Sequence, residues 1–246
     1  MIDPDERERQ VVSLLESWPS RTSGVLVGGY AIAAYGAPRY SVDVDIVIST
    51  SSRDAWTDWL TTHHLERQRT HRVSRAGESQ IEVQRWEYDA ITLDLMIGGV
   101  RDRESGGVIP ESWLLRKPSM IRLELLSGPL AKPIRVVRLE GLWAMKLLAG
   151  RPHDLTDLFS IMHQKVDLTE VRDFFSESLQ SSSWRKLRGV LAQVTGTKLY
   201  VDALSRLRQG SPDLRANLAR WNRFTEMVVN AMPRETSGEE PPFRPG

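Results

Sequence analysis

Asp43 and Asp45 stand on alternate positions of an apolar run, "SVDVDIVIS", where a soluble chain normally buries hydrocarbon. Val42, Val44, Ile46, Val47 and Ile48 mark a strand bound for the interior, and strand side chains alternate between faces, so both carboxylates project from one face. Like charges held that close repel each other unless a cation or a strong donor lies between them. An all-oxygen pair suits magnesium, with manganese as an alternative. Upstream, "GVLVGG" ends in Gly28 and Gly29, which let backbone approach a ligand closely, and amides opening the following helix favour an anion. Arg39 supplies a guanidinium between these glycines and the aspartates. Phosphate-facing amides, a guanidinium and a carboxylate pair are the parts phosphoryl transfer requires.

Each part has an ordinary explanation alone, since Gly-Gly is often only a tight turn, but these explanations do not predict one another. Two-metal chemistry calls for a third carboxylate on a neighbouring strand. Asp94, in "AITLDLMIG", is the downstream acidic residue embedded in an apolar run; the alternative is a solvent-facing position on an edge strand. Glu82, in the mixed run "QIEVQRW", is the poorer candidate.

Gly28-Gly29 followed by Arg39, Ser41, Asp43 and Asp45 resembles the nucleotidyltransferase superfamily with DNA polymerase beta-like folds. Within it the pattern is similar to the AbiEii-type toxins of type IV toxin–antitoxin pairs and to the MenT toxins. That family continues with a lysine-bearing helix, an arginine-containing turn and an Asp-Leu-x-Asp-like helix. Here "LEGLWAMKLLAGRPHDLTDLF" supplies Lys146, Arg151, Asp154 and Asp157 in that order. Many superfamily members carry serine after the first glycine, where this chain has Gly29, so phosphate grip must come from backbone amides and from Arg39 or Lys146.

The resemblance implies metal ligation by Asp43, Asp45 and Asp94, and catalytic roles for these three with Lys146 and Asp154. It implies nucleotide contacts from Gly28, Gly29, Arg39, Ser41, Lys146, Arg151 and Asp157. The implied reaction uses an NTP and magnesium to move a nucleoside monophosphate to an acceptor hydroxyl. The acceptor implied is the tRNA 3′ end, with an antitoxin protein as partner. A degenerate, non-catalytic module binding RNA or protein is the competing class, and a protein or aminoglycoside-like acceptor is the competing substrate.

Lys146 follows Leu142 and Trp143 by four and three residues and so shares their inward face. An ammonium there needs an anion, which a triphosphate would supply; the alternative is snorkelling past Trp143 to water. Asp154 and Asp157, after the stop signals Gly150 and Pro152, also suit helix capping.

The elements that must position these groups are legible in outline. Residues 5–18 read as a helix, "GVLV" as a strand, "YAIAAYG" as a short helix closed by Gly36, and "SVDVDIVIS" as the next strand. "SSRDAWTDWLTTHH" reads as a capped helix. After a polar loop around Gly77, "SQIEVQRW" and "DAITLDLMIG" form a hairpin turning near Glu87 to Asp89. "MIRLELL" and "IRVVR" are further strands. From Leu139 onward the pattern is helical, with helices near 168–180, 183–195, 198–209 and 212–232. The expected fold is thus an α/β (α+β) nucleotidyltransferase core with a mixed sheet over residues 1–138, an α-helical domain over 139–232, and a disordered tail over 233–246.

Composition excludes several alternatives. The 246 residues contain no cysteine, which removes disulfides, zinc-thiolate sites and thiol nucleophiles. Lys plus Arg total 33 against 32 acidic residues, so net charge says nothing about partners. No apolar stretch reaches the roughly 18 residues of a membrane span, and the N-terminus "MIDPDERERQ" is no signal peptide. A cytoplasmic protein is expected, without a membrane partner. The five histidines show no ligand spacing; His63-His64 reads as a helix end, and His71, His153 and His163 as surface. Trp56, Trp59, Trp86, Trp113 and Trp143 read as core. Between Trp184 and Arg223 lie Arg185, Lys186, Arg188, Lys198, Arg206, Arg208, Arg215, Arg220 and Arg223, opposed by Asp202 and Asp213, with Tyr200 and Trp221 interleaved. Such a run is more commonly a solvated helical face; within a nucleotidyltransferase it suits a phosphodiester backbone and favours an RNA acceptor over a small drug.

Overall fold

The computed structural model describes residues 3–19, 21–37, 41–73, 80–125, 128–178, 181–206 and 214–231. Asp3 caps the first helix, α1 (Pro4–Glu16), by accepting from the Asp5 amide at 3.1 Å, and Pro4 fits the first helical position, where no amide bond is needed. The fully buried strand β1 (Gly24–Val27) runs directly into α2 (Gly28–Ala34), and β2 (Asp43–Ile48) follows. Next come α3 (Arg53–Thr62), β3 (Glu66–Val73), and the hairpin β4 (Ile81–Tyr88) and β5 (Ile91–Ile97). Short elements follow: β6 (Gly99–Arg101), β7 (Val108–Pro110), α4 (Glu111–Leu114), β8 (Ser119–Ile121), β9 (Glu124–Leu125), β10 (Gly128–Pro129) and β11 (Ile134–Val136). The rest is helical: α5 (Leu139–Ala149), α6 (Pro152–Ser160), α7 (Leu168–Ser178), α8 (Ser181–Gln193), α9 (Gly196–Arg206) and α10 (Arg215–Ala231).

Seven strands form one mixed sheet in the order β3-β4-β5-β2-β1-β11-β8. The β2–β5 and β1–β11 pairs are parallel and the others antiparallel. Strand β5 is therefore internal, which rules out the edge position that would have made Asp94 a solvent-facing residue. The apolar sides of the sheet and of α5, α6 and α10 share one continuous buried cluster, from Val11 through Ile46 and Leu95 to Trp221 and Val228. Helix α5 is buried at Gly141, Leu142, Trp143, Ala144, Lys146, Leu147 and Leu148, so it is a central packing element with a charge inside it.

Two differences from the sequence reading concern the site. Strand β3, "ERQRTHRV", falls before the polar loop expected around Gly77, in a segment to which the sequence assigns no element. It has no apolar alternation because it is an edge strand, exposed from Glu66 to Arg72, and its charged side chains discourage further pairing. The hairpin turn is at Asp89 and Ala90, with Tyr88 paired to Ile91 and Asp89 at φ 47°, slightly beyond the expected position. The tail 233–246 lies outside the described residues.

Candidate active site

The parallel pairing of β2 with β5 sets Asp45 directly beside Asp94, and Asp43 one step along beside Thr92. Asp43, Asp45 and Asp94 line a cleft of about 530 Å³ together with Gly28, Gly29, Ser41, Arg85, Lys146, Arg151, His153 and Asp154. One wall is the sheet; the other is α5 and the start of α6.

Gly28 has φ +66°, and a Cβ built there would lie 2.0 Å from Asp45 Oδ2. Only glycine accepts both that backbone conformation and that contact. Asp45 is thereby pressed against the turn from β1 into α2. Burial, reinforced by the Asp94 charge and opposed by Lys146, pushes its carboxyl up to about 7. Burial and Asp94 also push Asp43 up, against the pull of Arg85. Ser41 donates through Oγ to the Asp43 carbonyl at 3.2 Å, which ties the approach to β2. Arg39 lies outside the described residues.

Arg85 is a site residue that the sequence reading misses. It stands opposite Asp94 in the β4–β5 ladder and donates through Nε and Nη2 to both carboxylate oxygens, at 2.8 and 2.7 Å. Its Nη2 also lies 3.7 Å from Asp43 Oδ2. A turn centred on Tyr88 would put Glu82 across from Asp94; the observed turn puts Arg85 there. The exact turn residue is thus the missing signal. Glu82 belongs to the other face of β4, fully buried, where it accepts from Arg53 at 3.0 Å, Arg72 at 2.7 Å and Gln84 at 2.5 Å.

Lys146 is neither unpaired nor snorkelling. Its Nζ donates to Asp154 Oδ1 at 2.7 Å and Asp157 Oδ2 at 2.8 Å, with only 8% of the side chain exposed. Gly150, left-handed at φ 62°, reverses the chain so that the first turn of α6 folds back onto the last turn of α5. Asp154 accepts also from Arg151 Nε at 2.7 Å. Burial would raise the Asp154 carboxyl, but the Lys146 charge and the bonds from Lys146 and Arg151 hold it below the ordinary range. The capping alternative for Asp154 therefore gives way to an ion-pair cluster. Asp157 anchors the far side of Lys146 and does not line the cleft.

His153, read as a surface residue, instead lines the cleft with its Nε2 3.6 Å from Asp154 Oδ1. His163 is also half-buried, bonded to the Ser160 carbonyl at 3.2 Å. The basic helical surface is less uniform than its sequence: Lys186 pairs with Asp102 at 2.9 Å and Glu104 at 2.8 Å, and Arg220 donates to the Met162 carbonyl at 3.1 Å. Trp221 is core, so it offers no stacking platform. Arg185, Arg188, Lys198 and Arg223 are exposed, whereas the Trp184 and Arg206 side chains, Arg208 and Asp213 lie outside the description.

The cleft thus joins three aspartate carboxylates on the sheet to a lysine and an arginine on the facing wall. The AbiEii family profile, a nucleotidyl transferase toxin of type IV toxin–antitoxin systems, matches residues 18–244. The chain belongs to this AbiEii family. It is a nucleotidyltransferase. No curated protein matches it in sequence. Among solved structures, JHP933 from Helicobacter pylori is 17% identical with TM-score 0.38, over 93% of this chain and 91% of that one. TM1012 from Thermotoga maritima, assigned as a nucleotidyltransferase, is 16% identical with TM-score 0.44, over 67% and 97%. ANT(2″)-Ia in complex with adenylyl-2″-tobramycin is 12% identical with TM-score 0.32, over 81% and 95%. These likenesses are low, and the family assignment stands on the profile match. Among the described residues of this AbiEii member, no helix is long and apolar enough to cross a membrane.

Proposed function

We propose that this AbiEii protein transfers a nucleoside monophosphate from an NTP to the 3′ end of tRNA in the cytoplasm, releasing pyrophosphate, as a toxin countered by an antitoxin protein. The observation that carries the reading is the convergence of Asp43, Asp45 and Asp94 on one cleft wall, with Asp45 and Asp94 side by side. Their donor set fits magnesium or manganese: three hard carboxylate oxygens, one of them buried against Gly28. When bound, the metal would neutralise and align the reacting phosphates.

The chain's own residues do the remaining work. Gly28 and Gly29 keep the wall beside Asp45 free of side chains, so the triphosphate can come close to backbone. Lys146, held in place by Asp154 and Asp157, offers the phosphates its remaining ammonium N–H without having to be ordered on binding. Arg151, 63% exposed at the rim, and Arg39 and Ser41 on the approach to β2 add further phosphate contacts. Asp94 assists removal of the proton from the acceptor hydroxyl as its oxygen attacks the α-phosphorus. The exposed arginines and lysines of α8, α9 and α10 supply a surface for the RNA backbone.

The test is incubation with each α-labelled NTP, magnesium and total tRNA, alongside whole-cell RNA and protein. Labelled tRNA is the expected product, and it should vanish in the Asp43→Ala, Asp45→Ala double variant. Identical labelling by both proteins would end the reading of the site; labelled protein without labelled RNA would end the tRNA assignment.

A further inference from the structure

Asp94 faces a conflict. The reading above asks its carboxylate to ligate a metal, yet both its oxygens already accept hydrogen bonds from Arg85. A guanidinium matched in this bidentate way takes two of the roughly four lone-pair sites of the carboxylate and sets a positive charge where a cation would chelate both oxygens. Arg85 also reaches toward Asp43, so it spans two of the three expected ligands. Among the described residues, no group of three possible ligands stands close enough to hold a metal in this arrangement. The register places the arginine there: Arg85, Asp94 and Asp45 form one lateral row across β4, β5 and β2.

We infer that Arg85 is an exchangeable counter-ion of the carboxylate cluster, which a divalent metal must displace from Asp94 before the cluster closes around it. The inference rests on the metal reading of the three aspartates. Arg85 is then a positioning residue with two effects. It offsets the repulsion among Asp43, Asp45 and Asp94 while no metal is bound, and it raises the metal concentration at which the site fills.

The exchange is physically accessible. The Arg85 side chain is 25% exposed and Asp94 21% exposed, so neither charge is locked in a dry interior. Glu87 lies two residues along β4 on the same face, and its charge acts on both Arg85 and Asp43. A displaced guanidinium therefore has a second carboxylate within the same strand. Lys146 does not share this property, because it is buried and held by two partners on the opposite wall.

Manganese serves as the probe, with free ion followed by its electron paramagnetic resonance signal during titration of the full chain, without nucleotide. Arg85→Gln removes the competing charge, and its manganese affinity should rise about fivefold or more, the scale of losing a bidentate, partly desolvated ion pair. The variant should also melt lower than wild type in chelator and gain more from saturating manganese. Arg85→Lys, which keeps charge but loses the fork, should fall between the two and gives the same readout if Arg85→Gln does not fold. A merely structural arginine would leave affinity unchanged or weaken it on removal, and either result beside a metal-binding wild type overturns the exchange. Absence of binding in all three proteins, with and without an NTP, would instead overturn the metal reading on which it rests.

Discussion

Asp45 Oδ2 occupies the space into which a side chain at Gly28 would grow, 2.0 Å from the position of a Cβ. The carboxylate and the glycine are two halves of one constraint. Gly28→Ala must either strain a left-handed residue or push Asp45 out of the row it shares with Asp94. A loss of about 1–3 kcal/mol is expected in a urea melt. Nucleotide transfer should fall further than stability explains, because Asp45, a proposed metal ligand, itself moves. Full transfer activity in a folded Gly28→Ala protein would contradict this.

Lys146→Met separates two views of the lysine. Were its charge balanced only by nucleotide, the change would be neutral or stabilising. Since the ammonium binds Asp154 and Asp157, the variant deprives two buried carboxylates of that cation, and about 3–5 kcal/mol should be lost. Adding Asp154→Asn and Asp157→Asn to Lys146→Met should restore most of that stability, since the buried charges are then removed together. Urea melts of wild type, the single variant and the combined variant measure it; a Lys146→Met protein as stable as wild type would refute the ion-pair cluster.

The raised carboxyl of Asp45 predicts a pH dependence of folding. Its ordinary value is 3.8 and its folded value about 7, so the folded state holds the proton more tightly. The stability from that proton is complete below the unfolded value and is lost as pH rises through about 7. Asp154 acts oppositely, its depressed carboxyl contributing stability that is lost on acidification. The difference between wild type and Asp45→Asn isolates the first effect. In chelator, the variant should gain on wild type by on the order of 2–3 kcal/mol between pH 4 and 8, with the change flattening above neutrality. A constant difference across that range would show that Asp45 ionises normally.

Glu82 and Asp94 lie on opposite faces of adjacent strands and should respond differently to loss of charge. Glu82→Gln removes the buried anion bonded by the partly exposed Arg53 and Arg72 and should cost about 1–2 kcal/mol while leaving manganese affinity alone. Asp94→Asn should cost less stability, since Arg85 and Asp94 are partly exposed, and should weaken manganese binding. Calorimetric titration beside thermal melts distinguishes the two, and manganese loss in Glu82→Gln would refute the assignment of faces.

Much of this protein follows from sequence alone. Alternation places Asp43 and Asp45 on one face whatever the sheet order, because the period of a strand is a local property. Likewise local are the helix stop at Gly150, the proline start of α6 and the turn at Gly28. Pairing is not local. Whether Asp94 sits beside Asp45 depends on β5 running parallel to β2, and whether Arg85 or Glu82 meets Asp94 depends on where one hairpin turns. Strand β3 carries no apolar period of its own and exists because β4 offers it an edge. The partners of Lys146 are present in the sequence, eight and eleven residues downstream, but their contact requires the reversal between α5 and α6 to fold one helix back on the other. Residue spacing determines which face a charge takes; only tertiary packing decides which opposite charge it meets there, since that choice is made by segments distant in the chain.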